Sequence, residues 1–379
     1  MARAPKVAIV ADWLTNMGGA EPVVLRLQSL FPDAPIYTSV YDREKMPAFH
    51  HIDIRTTYLQ RRLPKSLRYK HVLWPVLRAR AFRKLDLSEF DIIISSSSAE
   101  AKAVRKTRPG QVHISYIHTP IRYYWSHYEE FRREFNFGAL TPFIRPFIPL
   151  FVRRMRRYDL ESVQGVDVFI ANSSVTQARI KKYYKKPSTV VHPPVDIERF
   201  TPPPRSERSG YIMWGRHVPY KRFDLAIEAA NRQGFDLTVI GSGPDTERLK
   251  KLAGPTVHFT GRVSDEELVR LAHHARGFLF PNEEDFGLAA VEALAAGVPV
   301  IAYAKGGALD IVQDGETGVL FKDQTVESLT GAIDRFETLS FLPATLHRKS
   351  KRFAPGLFDT KIRKIVNDRR TSQKYRSIL

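Results

Sequence analysis

The second half of the chain alternates short apolar runs with amphipathic segments. Over residues 209–322, each β-rich run is followed by a stretch whose apolar positions recur at the spacing of one helix face. Strands that alternate with helices predict a parallel sheet covered on both faces, as in a Rossmann-like domain. The predicted strands are Tyr211–Trp214, Asp236–Ile240, Thr256–Thr260, Gly277–Pro281, Val298–Tyr303 and Gly318–Phe321, and the predicted helices include Phe223–Arg232, Asp265–His274 and Leu288–Ala296.

The first half repeats this pattern less regularly. Its apolar runs are separated by two long stretches, residues 56–85 and 129–163, which are rich in arginine and aromatic residues. Both stretches are predicted to be helical insertions into a second Rossmann-like sheet. The predicted buried strands are Lys6–Asp12, Asp91–Ser95, His113–Ile117 and Asp167–Asn172.

The length of the chain favours two domains. A chain of 379 residues is too long for one compact core. Proline pairs and triplets at 193–194 and 202–204 indicate a linker. We therefore predict domains over residues 1–195 and 196–353, with a final helix over 354–379 that packs back on the first domain.

Cysteine and hydropathy bear on the compartment. The chain contains no cysteine, which excludes disulfides and thiolate metal sites. Its first residues lack the apolar stretch of a signal peptide, and no run reaches the ~20 apolar residues of a spanning helix. These features predict a cytoplasmic protein, free or held peripherally on the inner face of the cell membrane.

Charge is distributed unevenly along the chain. The formal net charge is +19, yet residues 206–340 hold 14 Lys and Arg against 20 Asp and Glu. The remainder holds 45 basic against 20 acidic residues. Such asymmetry favours a polyanionic partner, either anionic lipid or nucleic acid. A solvated basic surface without any partner is the simpler alternative.

The segment after the fourth predicted strand of the second half carries the sharpest chemical pattern. An acidic turn follows that strand, and a helix starts near Gly287. Free amides at a helix start bind hydroxyl or phosphate oxygens, and glycine allows close approach to the backbone. Glu284 in the turn and Glu292 in the helix could accept hydrogen bonds from two parts of one polyhydroxylated ligand. The alternative is an acidic first turn that only complements the helix dipole.

This segment resembles the E-x7-E signature of glycosyltransferase family 4. Further motifs follow in the order of that family along almost the whole chain. They are Gly18-Gly19-Ala-Glu21, Asn172-Ser-Ser, His192-Pro-Pro-Val-Asp196, Gly215-Arg216-His-Val-Pro-Tyr-Lys221, Gly241-Ser-Gly243-Pro, Gly261-Arg-Val-Ser-Asp265 and Gly306-Gly307…Gly315-Glu-Thr-Gly318. The resemblance implies an α/β GT-B fold, in which two facing Rossmann-like domains enclose a donor-binding cleft. The first domain would face the acceptor and the second would bind a nucleotide sugar.

The resemblance also implies a role for each motif residue. The donor diphosphate would be bound by Arg216 and Lys221, with Gly18 and Gly19 at the same phosphate. The transferred sugar would be held by Glu284 and by the amides of Phe286, Gly287 and Leu288. The ribose would be bound by Glu292, and the base would contact the backbone near Val263. Taken alone, the two bases could be an ordinary surface pair among 59 Lys and Arg residues. The glycine pair could likewise be a plain turn.

A second segment points to the sugar. Tyr116-Ile-His118-Thr-Pro-Ile-Arg122-Tyr-Tyr-Trp125 follows a predicted strand of the first half. It is similar to the His-Thr-Pro…Arg-Tyr segment of bacterial O-antigen and exopolysaccharide mannosyltransferases of this family. The resemblance implies that His118 lies beside the transferred sugar, although a histidine after a strand is often structural. Arg122, Tyr123 and Trp125 either shape the acceptor or sugar pocket or pack the loop.

The carboxylate pattern bears on metal and mechanism. No Asp-x-Asp occurs in the chain, so the usual carboxylate pair for a metal-bound diphosphate is missing. Basic side chains and helix amides can neutralise a diphosphate instead. We predict metal-independent transfer without a tightly bound cofactor, from a nucleoside-diphosphate sugar of which GDP-mannose is favoured and a UDP-sugar is the alternative. The resemblance implies retention of the anomeric configuration.

Two segments of the first half combine bases with apolar residues, which suits an anionic lipid surface. One holds Arg61, Arg62, Lys65, Arg68, Lys70, Arg78, Arg80, Arg83 and Lys84 among Leu63, Leu67, Tyr69, Val72, Leu73 and Trp74, and the other joins Phe143, Ile144, Phe147, Ile148 and Phe151 to Arg153, Arg154, Arg156 and Arg157. The resemblance implies a glycan or polyprenyl-diphosphate-linked acceptor at such a surface, in cell-surface polysaccharide synthesis such as that of lipopolysaccharide. The alternative is that the apolar stripes are core and the arginines are solvated.

Three other classes of protein explain less of the sequence. A nucleic-acid-binding protein would account for the charge, but not for the acidic motif, so no nucleic-acid partner is expected. A sugar-nucleotide epimerase would need an acid and a base on both faces of a sugar carbon, and no such pair stands out. An oxidoreductase would need Gly-x-Gly-x-x-Gly after the first strand, which is absent.

Overall fold

The computed structural model describes residues 5–69, 74–134, 141, 145–203 and 207–376. The chain forms two compact units, Met1–His192 with Asp359–Leu379 and Pro193–Phe358. Among the described residues, no helix is long and apolar enough to cross a membrane.

In its described residues, the first unit contains a parallel sheet of seven strands in the order β3-β2-β1-β4-β5-β6-β7. The four strands predicted from the sequence are four of these, and their residues are almost all buried because helices cover both faces. The strands are β1 Val7–Ala11, β2 Ile36–Thr38, β3 Ile54–Thr56, β4 Ile92–Ser97, β5 Val112–Ile117, β6 Val168–Ala171 and β7 Thr189–Val190.

The helices of the first unit follow the expected insertions only in part. Among the described residues, the first predicted insertion forms three short helices, and the second contains two helices, between which residues 135–140 and 142–144 lie outside the described part of the chain. The helices are α1 Glu21–Leu30, α2 Leu59–Arg62, α3 Lys65–Arg68, α4 Pro75–Arg83, α5 Tyr128–Glu134, α6 Ile148–Ser162 and α7 Ser174–Arg179.

The second unit has a parallel sheet of six strands among the described residues, in the order β10-β9-β8-β11-β12-β13. Every strand predicted for this half is present, which confirms the α/β fold class. The strands are β8 Ser209–Trp214, β9 Leu237–Ile240, β10 Val257–Gly261, β11 Ala275–Phe280, β12 Val300–Tyr303 and β13 Gly318–Phe321. The helices are α8 Phe223–Gln233, α9 Thr246–Leu252, α10 Asp265–His274, α11 Leu288–Ala295, α12 Ala308–Ile311, α13 Val326–Glu337 and α14 Pro343–Ser350.

The last helix, α15, spans Pro355–Arg376. Within the first unit, Arg26 Nε of α1 donates to Asp359 Oδ1 at 2.7 Å. Phe358, Ile362 and Val366 are buried, whereas Leu357 is 48% exposed.

Both sheets have a point at which the chain reverses the direction in which it adds strands. In the first sheet this point lies between β1 and β4, and in the second between β8 and β11. Loops that leave the carboxyl ends of such neighbouring strands diverge and leave a crevice, where ligands of doubly wound sheets bind. Three of the motifs follow strands at these points: Gly18-Gly19 follows β1, Gly215–Lys221 follows β8, and the acidic turn with Glu284 follows β11.

Candidate functional site

The acidic turn of the second unit connects β11 to α11. Gly287 adopts φ 112°, and a Cβ there would lie 2.8 Å from Phe280 Cζ, so the turn requires glycine. Behind the turn, Gly307 N donates to Glu284 O at 2.8 Å. A Cβ on Gly306 or Gly307 would overlap the backbone of the turn. The Gly-Gly motif therefore supports the acidic turn by close packing.

Glu284 is held within the turn by two donors. Its Oε1 accepts hydrogen bonds from the Lys221 ammonium and from Asn282 Nδ2, the latter at 2.9 Å. The Lys221 and Glu284 side chains are 17% and 15% exposed. Asn282 is buried, and its Oδ1 has no hydrogen-bond partner among the described residues. Only the position of Asn282 directly after a strand could have pointed to it in the sequence.

Glu292 lies one turn into α11, facing the end of β8. Trp214 Nε1, at the last residue of β8, donates to Glu292 Oε2 at 3.0 Å. Burial raises the pKa of Glu292, and the hydrogen bond from Trp214 opposes that shift. The structure thus places a half-buried carboxylate beside the crevice between β8 and β11. Trp214 was not predicted as part of the site.

Arg216 stands two residues after β8 and is exposed. Among the described residues it makes no ion pair or hydrogen bond, so its guanidinium is available to a ligand. The loop behind it is closely packed, because a Cβ at Gly241 would overlap Gly215 O and one at Gly243 would overlap the backbone of His217. The Gly-Ser-Gly motif after β9 therefore shapes the Arg216 loop.

Val263 lies between β10 and α10. Its side chain is half-buried against the apolar cluster that contains Trp214 and Phe280. The next residue, Ser264, caps α10 by accepting a hydrogen bond from Glu267 N at 3.2 Å.

In the first unit, the loops after β1 and β4 are tied together by Asp12. Its Oδ2 accepts from the amides of Ser98 and Ala99 at 2.6 and 2.9 Å, and its Oδ1 accepts from Ala101 N at 2.6 Å. Asp12 is 8% exposed. This carboxylate, which the sequence analysis did not single out, fixes the two loops at the reversal point of the first sheet.

Gly18 and Gly19 are exposed in the loop between β1 and α1. Gly18 N donates to Glu21 Oε2 at 2.8 Å, which closes the loop onto the first turn of α1. Burial raises the pKa of Glu21, partly opposed by this hydrogen bond. The glycine pair thus combines an ordered turn with an exposed backbone.

His118 follows β5 and is buried. Its Nε2 is 2.8 Å from Ser96 Oγ at the end of β4, and its carbonyl accepts from Thr176 Oγ1 at 3.2 Å. Burial lowers the pKa of His118 to about 4, so the imidazole is neutral at pH 7. A neutral imidazole can donate one hydrogen bond and accept another, but it cannot serve as a cation.

Trp125, in the loop after His118, packs against a buried ion pair. Its Nε1 donates to Asp159 Oδ2 at 2.7 Å, and its ring stacks on Tyr183 with centroids 4.9 Å apart. Asp159 also lies 2.9 Å from Lys102 Nζ, and both side chains are 1% exposed. These contacts pack the loop, and Trp125 also lines a cavity of the first unit.

Two details of the predicted lipid-facing segments are wrong. Arg78 is buried and its Nε donates to Glu100 Oε2 at 2.7 Å, because an uncompensated carboxylate would otherwise be buried there. Ile148 is also buried, since it faces the core side of α6. The predicted members Lys70, Val72, Leu73, Phe143 and Ile144 lie outside the described residues.

Family comparisons cover nearly the whole chain. The model of the family described as Glycosyltransferase Family 4 matches residues 17–199, and that of Glycosyl transferases group 1 matches residues 194–353. The two matches meet at the junction of the two units.

Curated relatives match about half of the chain. A GDP-mannose-dependent alpha-(1-6)-phosphatidylinositol monomannoside mannosyltransferase of Mycobacterium tuberculosis is 32% identical over 202 residues, which cover 45% of this chain and 52% of that protein. A D-inositol 3-phosphate glycosyltransferase of a Nocardioides species is 32% identical over 197 residues, covering 42% and 43%. The chain therefore spans about half the length of the curated relatives that it matches.

Solved structures share the fold at low identity. HepE of Anabaena in complex with UDP matches with a TM-score of 0.71 and 16% identity, over 96% of this chain and 100% of that chain. Sucrose-phosphate synthase of Thermosynechococcus elongatus matches with a TM-score of 0.73 and 17% identity, over 97% and 100%.

Two parallel α/β units of this strand order define a protein of the GT-B fold class. Within that class, the chain belongs to glycosyltransferase family 4.

Proposed function

We propose that the protein is a retaining, metal-independent glycosyltransferase that uses a nucleoside-diphosphate sugar, with GDP-mannose as the favoured donor. One observation carries the proposal: the crevice between β8 and β11 brings together a half-buried Lys221–Glu284 pair, the carboxylate of Glu292 and the amino end of α11. Phosphate, ribose and sugar hydroxyls of one donor need this combination of a cation, two carboxylates and free amides.

In this proposal the donor diphosphate is neutralised by the protein. Arg216, exposed and without an ion pair among the described residues, and Lys221 supply positive charge beside β8. From the first unit, the exposed amide of Gly19 adds a donor, while Gly18, whose own amide donates to Glu21 Oε2, shapes the loop. As charge develops on the leaving phosphate, these groups stabilise it more strongly than they stabilise the ground state.

Sugar and ribose are assigned to the two glutamates. Glu292 accepts hydrogen bonds from the ribose hydroxyls, while Glu284 and the amides of Phe286, Gly287 and Leu288 hold the transferred sugar. The backbone near Val263 contacts the base. His118, neutral at pH 7, contributes a hydrogen bond to the sugar rather than a charge.

Retention of configuration is proposed through attack on the same face that the leaving group departs from. The bond between the anomeric carbon and the phosphate oxygen breaks as the acceptor oxygen bonds to that carbon. The departing phosphate oxygen receives the proton of the acceptor hydroxyl. Nucleoside diphosphate and glycoside are the products, and Arg216 and Lys221 hold the phosphate throughout.

The choice of donor rests on two different likenesses. The Mycobacterium tuberculosis relative is named for GDP-mannose, and the segment around His118 resembles mannosyltransferases. A UDP-sugar is the second candidate, because the Anabaena structure of the same fold is a complex with UDP. The first is favoured because the mannosyltransferase is related in sequence, at 32% identity over 202 residues, whereas the Anabaena structure shares the fold at 16% identity.

For the acceptor we propose a glycan, free or linked to polyprenyl diphosphate, reached at an anionic membrane surface. At the start of α6, Phe147, Leu150 and Phe151 are 67%, 68% and 48% exposed. Exposed Arg153, Arg154 and Arg157 follow on the same helix. Large apolar side chains flanked by arginines suit the boundary between headgroups and acyl chains of an anionic bilayer.

Vesicle sedimentation tests the surface. We expect Leu150→Glu to reduce binding to vesicles of phosphatidylglycerol and phosphatidylcholine at least about fivefold, since it removes apolar insertion and adds repulsion. Leu342→Glu is the matched control, because Leu342 is 73% exposed but lies in the second unit. Equal binding of both variants and the wild type would contradict this surface.

A transfer assay tests the activity. The protein is incubated in EDTA with radiolabelled GDP-mannose or UDP-glucose and a bacterial membrane lipid extract. Label that moves from GDP-mannose into the lipid fraction, in an α-linkage by NMR, supports the proposal. Label moving only from UDP-glucose supports the second candidate, and no transfer from either donor, with or without magnesium, contradicts the activity.

A further inference from the structure

A cavity of about 290 Å³ lies in the first unit, beside the loop that follows β5. Arg133 of α5 and Arg156 of α6 line it together with one acidic residue, Glu129. Its charge is therefore net positive. None of the family motifs falls on these residues.

Arg156 is held in place before any ligand arrives. Its Nε donates to Tyr124 O at 2.5 Å, and its guanidinium carbon lies 5.2 and 5.0 Å from the ring centroids of Trp125 and Tyr128. Trp125 is itself fixed by Asp159 and by stacking on Tyr183. The side chain thus has little freedom left to lose on binding.

The terminal nitrogens of Arg156 have no hydrogen-bond partner in the described part of the chain. No described carboxylate lies within ion-pair distance of this guanidinium, although Arg157 beside it pairs with Glu161 at 3.4 Å. A half-buried, immobilised arginine that has no counter-ion among the described residues offers a fork of donors that matches the oxygens of a carboxylate or phosphate.

We propose that this cavity binds an anionic group of the acceptor, a phosphate or a carboxylate, through Arg156 and Arg133. The inference rests on the proposed function, and it narrows the acceptor class to a negatively charged glycan or glycolipid. Helix α6 carries Arg156 together with the exposed Leu150 and Phe151, and the exposed Phe147 directly precedes this helix.

Calorimetric titration of two small anions tests anion binding in the cavity and distinguishes a phosphate group from a carboxylate. Inorganic pyrophosphate represents a phosphate group and glucuronate represents a carboxylated sugar. Both are titrated into Arg216→Ala, which weakens pyrophosphate binding at the proposed donor site. Adding Arg156→Gln or Arg133→Gln should weaken binding of the recognised anion at least about tenfold, the loss of a charge-assisted hydrogen bond.

Arg156→Lys should retain part of the affinity, because it keeps the charge but not the fork. Arg157→Gln, an exposed neighbour outside the cavity, should change the affinity less than about twofold. If Arg156→Gln lowers the unfolding temperature, Arg133→Gln still tests the site, because Arg133 is exposed.

Binding of pyrophosphate alone, lost with Arg156, assigns a phosphate, and binding of glucuronate alone assigns a carboxylate. No binding of either anion, or equal affinity in all variants, overturns the proposal. GDP is titrated in parallel into protein with Arg216 intact, which separates the hypothesis of an anion-binding cavity from that of the nucleotide donor site. GDP binding without anion binding overturns the cavity alone, and anion binding without any nucleotide binding overturns the donor site alone.

Discussion

Replacing Glu284 by glutamine should separate phosphate binding from sugar binding in the second unit. Glu284 pairs with Lys221, and both side chains are about 15% exposed. A diphosphate that recruits Lys221 must weaken this pair, whose net worth lies between the ~1 kcal/mol of exposed pairs and the ~3–5 kcal/mol lost on breaking buried ones. Taking ~1–2 kcal/mol, Glu284→Gln should strengthen GDP binding by roughly 5–30-fold.

The same substitution should weaken binding of the sugar part of the donor. Glu284 is proposed to accept hydrogen bonds from sugar hydroxyls, and a charged acceptor of this kind is worth ~1.5–3 kcal/mol. The affinity of GDP-mannose relative to GDP should therefore fall by roughly 10–100-fold. Calorimetric titration of GDP and GDP-mannose into the same protein measures both effects, and Lys221→Met should weaken both ligands.

Glu283→Gln is the matched control, since Glu283 occupies the same turn and is also half-buried. It should change either affinity less than about twofold. The reasoning is refuted if Glu284→Gln weakens GDP as strongly as Lys221→Met does, with the ratio of GDP-mannose to GDP unchanged. In that case the Lys221–Glu284 pair would bind the phosphate as a unit.

Three further substitutions test other parts of the account. Glu292→Gln should weaken GDP by roughly 10–100-fold in calorimetry, with little change in unfolding temperature because the amide oxygen still accepts from Trp214; unchanged GDP affinity would remove Glu292 from the ribose site. The pKa of His118 is lowered to about 4 in the folded protein, against ~6.5 unfolded, so this group takes up its proton on unfolding and stability falls by up to ~3 kcal/mol as pH drops from 6.5 to 4. Urea unfolding should show a smaller fall for His118→Asn, and an identical fall in both proteins would contradict this. Asp159→Asn leaves the buried Lys102 charge unpaired and should cost ~3–5 kcal/mol in urea unfolding, partly recovered when Lys102→Met is added; no recovery would contradict an unpaired charge as the cause.

The regular part of the fold could be predicted from sequence because it depends on local patterns. Strand Gly318–Phe321 was predicted with its observed bounds, and the helix Asp265–His274 likewise. The strands Ile36–Thr38 and Ile54–Thr56 were missed, because three residues are too few for apolar alternation to show. Ile36–Thr38 takes its place in the sheet by pairing with β1, and Ile54–Thr56 by pairing with β2, partners outside their own sequences.

In the site, too, contiguous motifs could be predicted from the sequence, whereas contacts between distant residues could not. Glycines and charged residues of each motif could be placed after their strands, because a motif is contiguous. The partners of those residues could not, since Trp214 and Glu292 are 78 positions apart and Asp12 holds amides 86 or more positions away. A single sequence carries no record of such pairs. The roles assigned to the motif residues stay predictions.

Burial of charge was the least predictable feature. Arg78 lies in a run of bases that resembles a solvated face, yet it is buried against Glu100. Nothing in the local spacing distinguishes it from Arg80, which is exposed on the same helix. The distinction comes from the three-dimensional position of a carboxylate on another segment.

The most direct test of the central claim is calorimetric titration of GDP, UDP and ADP into the wild-type protein in EDTA. We expect GDP to bind, and UDP and ADP to bind at least about tenfold more weakly. Selective binding of UDP would keep the enzyme class and replace GDP-mannose as the donor. If no nucleotide bound, either in EDTA or with added magnesium, the proposed donor site in the second unit would be contradicted.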